Sequence, residues 1–121
     1  FKNYLIIRPG GLVDQIRNPL NFIKPKTVIN DGLSPINFIH TNDVARYILN
    51  NLENGFDQKI VNLSTQEDLT KLDFYRCLFN NDEYKMPIIH HTFRRKITSQ
   101  TLENENFSLL YPRILELFKI K

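Results

Sequence analysis

Short apolar runs of strand length alternate along the chain with segments whose apolar residues recur at helical spacing. Tyr4-Leu5-Ile6-Ile7-Arg8 is apolar and β-branched and stops at Pro9-Gly10-Gly11, the pattern of a buried strand entering a loop. The stretch from Asp14 to Ser34 is irregular, broken by Pro19 and Pro25 and followed by Pro35. It has room for a short helix around Leu20–Ile23 and a brief extended piece at Thr27–Asn30. Ile36-Asn37-Phe38-Ile39 reads as a second strand. Thr41 or Asn42 then stands where a helix cap is needed, ahead of Val44, Ala45, Ile48, Leu49 and Leu52, which form one apolar face. Asn54-Gly55 ends that helix.

Lys59–Leu63 is a third candidate strand. Thr70-x-x-Asp73 approximates a capping box, with Leu69 and Phe74 at staple positions, so a helix is predicted from Thr70 with Phe74, Tyr75, Leu78 and Phe79 as its buried stripe. Ser99 is placed to cap a short helix carrying Leu102. Pro112 suits the first turn of a last helix containing Ile114, Leu115 and Phe118. Strands alternating with capped helices predict an α/β fold, with the terminal helices as a separate lobe.

Composition narrows the class. At 121 residues, with 41% apolar, 12% aromatic and 24% charged residues, the chain is expected to be one soluble globular domain or a large piece of one. Sixteen Lys and Arg against thirteen Asp and Glu leave a formal charge of +3 that is spread along the chain, so no nucleic-acid partner is expected. A lone cysteine, Cys77, cannot pair internally, and no apolar run approaches the ~20 residues of a membrane span. The expected location is therefore the cytoplasm, away from membranes. Phe1 opens the sequence and Met86 is its only methionine, which reads as a fragment, a processed product or part of a longer protein.

Chemistry-bearing candidates are few. Pro9-Gly10-Gly11 after a strand has the composition for close approach of backbone to a ligand, but on its own it reads first as an ordinary tight turn. His40 lies between a strand and a capped helix, where loop side chains meet ligands, but a structural histidine fits there as well. His90-His91 lacks spaced Cys or carboxylate partners, so no metal site is expected. Arg94-Arg95-Lys96 could hold a phosphate or simply be a solvated surface. No G-x-G-x-x-G run follows a strand, and none of Tyr4, Tyr47, Tyr75, Tyr84 and Tyr111 has Lys four positions later.

The ordered series Tyr4–Val13, Ile36–Ala45 and Ile60–Ser64, closing with Lys96–Leu102, Phe107 and Tyr111-Pro112, resembles the C-terminal half of an extended short-chain dehydrogenase/reductase of the NAD-dependent epimerase/dehydratase group. Arg17-Asn18-Pro19-Leu20 is similar to compact, nucleoside-diphosphate-sugar epimerase-like members. The resemblance implies the C-terminal part of a Rossmann-type parallel sheet plus a small α-rich substrate lobe. Residues 1–63 would be the last strands and helix of an NAD(P)-binding domain with an irregular insert, and 64–121 the substrate-binding lobe.

It further implies that Pro9, Gly10 and Gly11 face the nicotinamide end of NAD or NADP at the sheet's carboxyl edge. Arg17, His40 and Arg95 become candidate contacts to a sugar nucleotide or similar small molecule, while Asp43 reads as structural, an acid at a helix N-terminus. The glycine-rich cofactor turn and the catalytic Tyr-x-x-x-Lys pair of the family are missing, so no catalytic residue is assigned and activity is expected only with a complementing N-terminal half. An apolar strand with open edges invites that half, or self-association. The alternative is a non-catalytic remnant acting as a protein interaction module.

Overall fold

A computed structural model describes residues 3–22, 32–80, 96, 102 and 105–119. Two parallel strand pairs organise them. Strand β1 (Leu5–Pro9) pairs with β4 (Lys59–Leu63) in the register Ile6↔Ile60 and Ile7↔Val61, and β2 (Gly11–Val13) pairs with β3 (Phe38–His40), with Val13 beside His40. Helix α1 (Thr41–Asn54) leaves β3 directly and leads to β4. Helix α2 (Lys71–Phe79) and the short helix α3 (Ile114–Phe118) follow. The α/β expectation holds, with every strand pair parallel among the described residues.

Several local expectations need correction. Pro9-Gly10-Gly11 is not a loop: Pro9 ends β1, Gly11 starts β2, and only Gly10 lies between them. Its N–H donates to the Leu63 carbonyl at 2.8 Å and that of Gly11 to the Asn37 carbonyl at 2.7 Å, so the two strand pairs are stitched together there. A Cβ on Gly10 would stand 2.6 Å from the Asn37 carbonyl oxygen, which is why the position needs glycine. The short helix near Leu20 is a 3-10 turn at Pro19–Asn21, capped by the Asn18 side chain. Thr27–Asn30 and Ser99 lie outside the described residues. Pro112 precedes the Arg113 cap of α3 instead of entering its first turn. Thr70 caps α2 as predicted, accepting from the Asp73 N–H at 3.2 Å, and Phe74, Tyr75 and Leu78 are buried beneath it while Phe79 packs at the margin.

Helix α1 is the largest departure, since it turns its polar side inward. Asp43, Tyr47 and Asn51, spaced at i, i+4 and i+8, are buried, whereas Ala45, Ile48, Leu49 and Leu52 are exposed. Each inward group has a partner. The Tyr47 hydroxyl donates to Glu105 Oε2 at 2.9 Å, Asn51 Oδ1 accepts from Lys59 Nζ at 3.0 Å, Lys59 also pairs with Glu105, and Asp43 binds the 110–111 backbone. Fully satisfied polar groups can be buried without a large penalty, so apolar periodicity did not settle which side faces in.

The core has two clusters. Val13, Ile36, Leu72, Phe74, Tyr75, Leu78 and Ile114 form one, and Ile39, Tyr47, Val61, Leu63 and Leu102 the other. The second lies against one face of β1 and β4. On their opposite face the cross-strand pair Ile6 and Ile60 is 46% and 49% exposed, so the strand expected to be buried is covered on one side among the described residues.

Candidate functional site

Parallel pairing of β2 with β3 brings their carboxyl ends together, and a cavity of about 370 Å³ opens there, lined by Asp14, Gln15, Ile16, His40, Asn42 and Tyr111 with Thr41 at the start of α1. Asp14 shapes one wall. Its Oδ1 accepts the N–H groups of Ile16 at 2.9 Å and Arg17 at 2.7 Å, an Asx-type turn, and its Oδ2 accepts the Thr41 hydroxyl at 3.0 Å. These bonds stabilise the carboxylate, that from Arg17 most, and hold its pKa below the ordinary value against a smaller opposing effect of burial.

His40 forms the floor. It is the cap of α1, a place expected for Thr41 or Asn42, because its Nδ1 accepts the Asn42 N–H at 3.0 Å. Tyr111 stacks on its ring with centroids 4.1 Å apart and planes 27° from parallel. Tyr111 is held there by Asp43, fully buried, whose Oδ1 accepts the Leu110 N–H at 2.7 Å and whose Oδ2 accepts the Tyr111 N–H at 2.9 Å. Arg46 completes the clasp, donating to Asp43 Oδ1 at 2.8 Å and to the Ser108 carbonyl at 3.2 Å while lying over the Phe107 ring. Asp43 is thus structural, but as a pin for the 110–111 backbone and not merely as an acid at a helix start. Glu67 does similar work nearby, accepting the Ile114 and Leu115 N–H groups at 2.7 and 3.1 Å at the entry to α3.

The described sequence-derived candidates do not converge. Of them His40 alone lines this cavity. Arg17 is exposed and contributes its backbone to the Asp14 turn. Gly11 borders a separate cavity of about 270 Å³ with Ser34, Asn37, Phe38, Lys71 and Tyr75. The N–H groups of Gly10 and Gly11 are both spent on strand stitching. Arg95, with Arg94 and the His90-His91 pair, lies outside the described residues. Lys96 donates to the Ile36 carbonyl at 2.6 Å, and burial pushes its pKa down. Asp14 and Tyr111 were not singled out for the site from sequence; Asp14, two and three residues before the N–H groups it binds, carries an Asx-turn signature that could have marked it. Among the described residues no group of three His, Cys, Asp or Glu is placed to hold a metal, and no helix is long and apolar enough to cross a membrane.

No family model matches the sequence, and no curated protein matches it. Solved structures do share its shape. A conserved protein of unknown function from Silicibacter pomeroyi superposes with a TM-score of 0.69 at 17% identity, over 94% of this chain and 47% of that one. The dTDP-glucose 4,6-dehydratase of Bacillus anthracis, solved in complex with NAD, gives 0.65 at 14% identity over 94% of this chain and 42% of that one. The UDP-N-acetylglucosamine 4-epimerase of Bacillus cereus gives 0.57 at 14% identity over 92% and 40%. These likenesses show a Rossmann-like α/β fold, and the chain spans less than half the length of each neighbour.

Proposed function

We propose that this chain is the C-terminal, substrate-binding portion of an NAD(P)-dependent epimerase, dehydratase or reductase acting on a sugar nucleotide or similar small molecule. One observation carries the reading: more than nine-tenths of the chain follows the fold of a dehydratase that binds NAD, while covering 42% of it. On this reading residues 1–63 complete a cofactor domain and 64–121 form the substrate lobe. Pro9, Gly10 and Gly11 lie toward the nicotinamide through backbone and carbonyl surface, since their available N–H groups are engaged. His40, Arg17 and Arg95 are its candidate substrate contacts.

An N-terminal half supplies the glycine-rich turn, the Tyr-x-x-x-Lys pair and the binding of NAD or NADP, whose chemistry is hydride transfer. The half-exposed Ile6 and Ile60 pair supports such a partner, because parallel sheets are ordinarily covered on both faces. The same exposed pair, with the open strand edges, favours as second reading a non-catalytic remnant that binds another protein, or a second copy of itself, in the cytoplasm. The test is the denaturing mass of the protein isolated from its natural source, with a search for peptides preceding Phe1. A preceding segment carrying a glycine-rich turn and Tyr-x-x-x-Lys is expected; a 121-residue species with no such companion overturns the enzyme reading in favour of the remnant.

A further inference from the structure

His40 is 7% exposed, and the hydrogen-bonding capacity of its ring is only half used. A backbone N–H can only donate, so the Nδ1 that receives the Asn42 N–H at 3.0 Å carries no proton, and in the neutral ring the proton sits on Nε2. That Nε2 has no protein partner among the described residues. Since no fully buried side-chain nitrogen or oxygen among the described residues lacks a partner, Nε2 keeps access to solvent, and His40 lines this cavity. The same cavity is lined by Tyr111 and, among the described residues, by a single charged side chain, the Asp14 carboxylate, which repels anions.

We propose that His40 Nε2–H donates to an uncharged carbonyl or hydroxyl oxygen of a ligand seated beside Tyr111, so that this cavity takes the neutral sugar part of a substrate and excludes its phosphates. The choice of sugar rests on the sugar-nucleotide reading above; the donor itself rests on the geometry around His40. Acceptor recognition by a polar group at the edge of an aromatic assembly is the usual construction of small-molecule sites.

The test uses the whole chain and N-acetyl-D-glucosamine, a neutral molecule with both acceptor types, against its 1-phosphate. Side-chain nitrogen NMR on the unliganded chain should show the Nε2–H tautomer of His40. Millimolar N-acetyl-D-glucosamine should then shift His40 Nε2 and the Asn42 and Tyr111 amides. His40→Asn keeps a good helix cap and loses both the Tyr111 stack and the reach into the cavity, so it should melt below the parent yet still unfold cooperatively, while affinity falls about fivefold to tenfold. An Nδ1–H tautomer, equal binding by His40→Asn, or shifts caused by the 1-phosphate alone would overturn the proposal. A chain that passes this test yet binds no NADH with an N-terminal half keeps the subsite and loses the wider enzyme reading.

Discussion

Replacing Asp43 with alanine isolates the contact on which the candidate site depends. The side chain is fully buried and accepts two backbone N–H groups, from Leu110 at 2.7 Å and Tyr111 at 2.9 Å, which dock the C-terminal segment on α1. Bonds to a charged acceptor are each worth about 1.5–3 kcal/mol. Leu110 is exposed, so its N–H regains water in the variant, whereas the half-buried Tyr111 N–H does so poorly. The exposed side of the Arg46 pair adds a few tenths at most. We therefore expect a loss of about 3 kcal/mol for Asp43→Ala. For a domain of this size that lowers the thermal midpoint by roughly 12 °C. Asp43→Asn should fall between, because one amide oxygen replaces one of two acceptors and the NH2 opposes the other N–H. Urea unfolding gives the energies, and hydrogen exchange at Tyr111 reports the local release. A loss below about 1 kcal/mol for the alanine variant, or unchanged protection at Tyr111, would refute the reasoning.

Three further outcomes follow from the packing. Leu49→Ser and Leu52→Ser should each change stability by less than about 0.5 kcal/mol, whereas Tyr47→Ala should cost about 3–5 kcal/mol; the reverse order, in chemical unfolding, would mean that α1 faces the other way. Gly10→Ala puts a Cβ against the Asn37 backbone at 2.6 Å and should cost about 1–3 kcal/mol, while Gly11→Ala meets the Phe38 side chain, not backbone, at 3.1 Å and should be milder in the same thermal melts. Asp14 has a folded pKa below its ordinary 3.8, so its contribution to stability is complete above that value and is lost as pH falls through the folded pKa. Unfolding midpoints across this acid range should fall less steeply for Asp14→Asn than for the parent.

Local chemistry was legible at several points where one residue decides it, though not at the α1 cap or at Pro112. Thr70 caps α2, Gly55 follows the end of α1, and the strands at β1 and β4 sit within a residue or so of their predicted places. Orientation was less legible. Leu49 and Leu52 make a better apolar stripe than Asp43, Tyr47 and Asn51, yet the latter face inward because Lys59, Glu105 and the 110–111 backbone, distant in sequence, satisfy them. The site was half readable for the same reason. His40 was marked by its place between strand and helix, but Tyr111 reaches it only through a buried carboxylate 68 positions earlier, a pairing that no local pattern encodes.

The most direct measurement is an NADH fluorescence titration of the 121-residue chain with and without a complementing N-terminal segment that carries the glycine-rich turn and Tyr-x-x-x-Lys. Saturable binding is predicted only when the two are combined, and Ile6→Asp should abolish it by spoiling the half-exposed strand face. Tight NADH binding by the chain alone, or none by the combination once association is verified, would contradict the account.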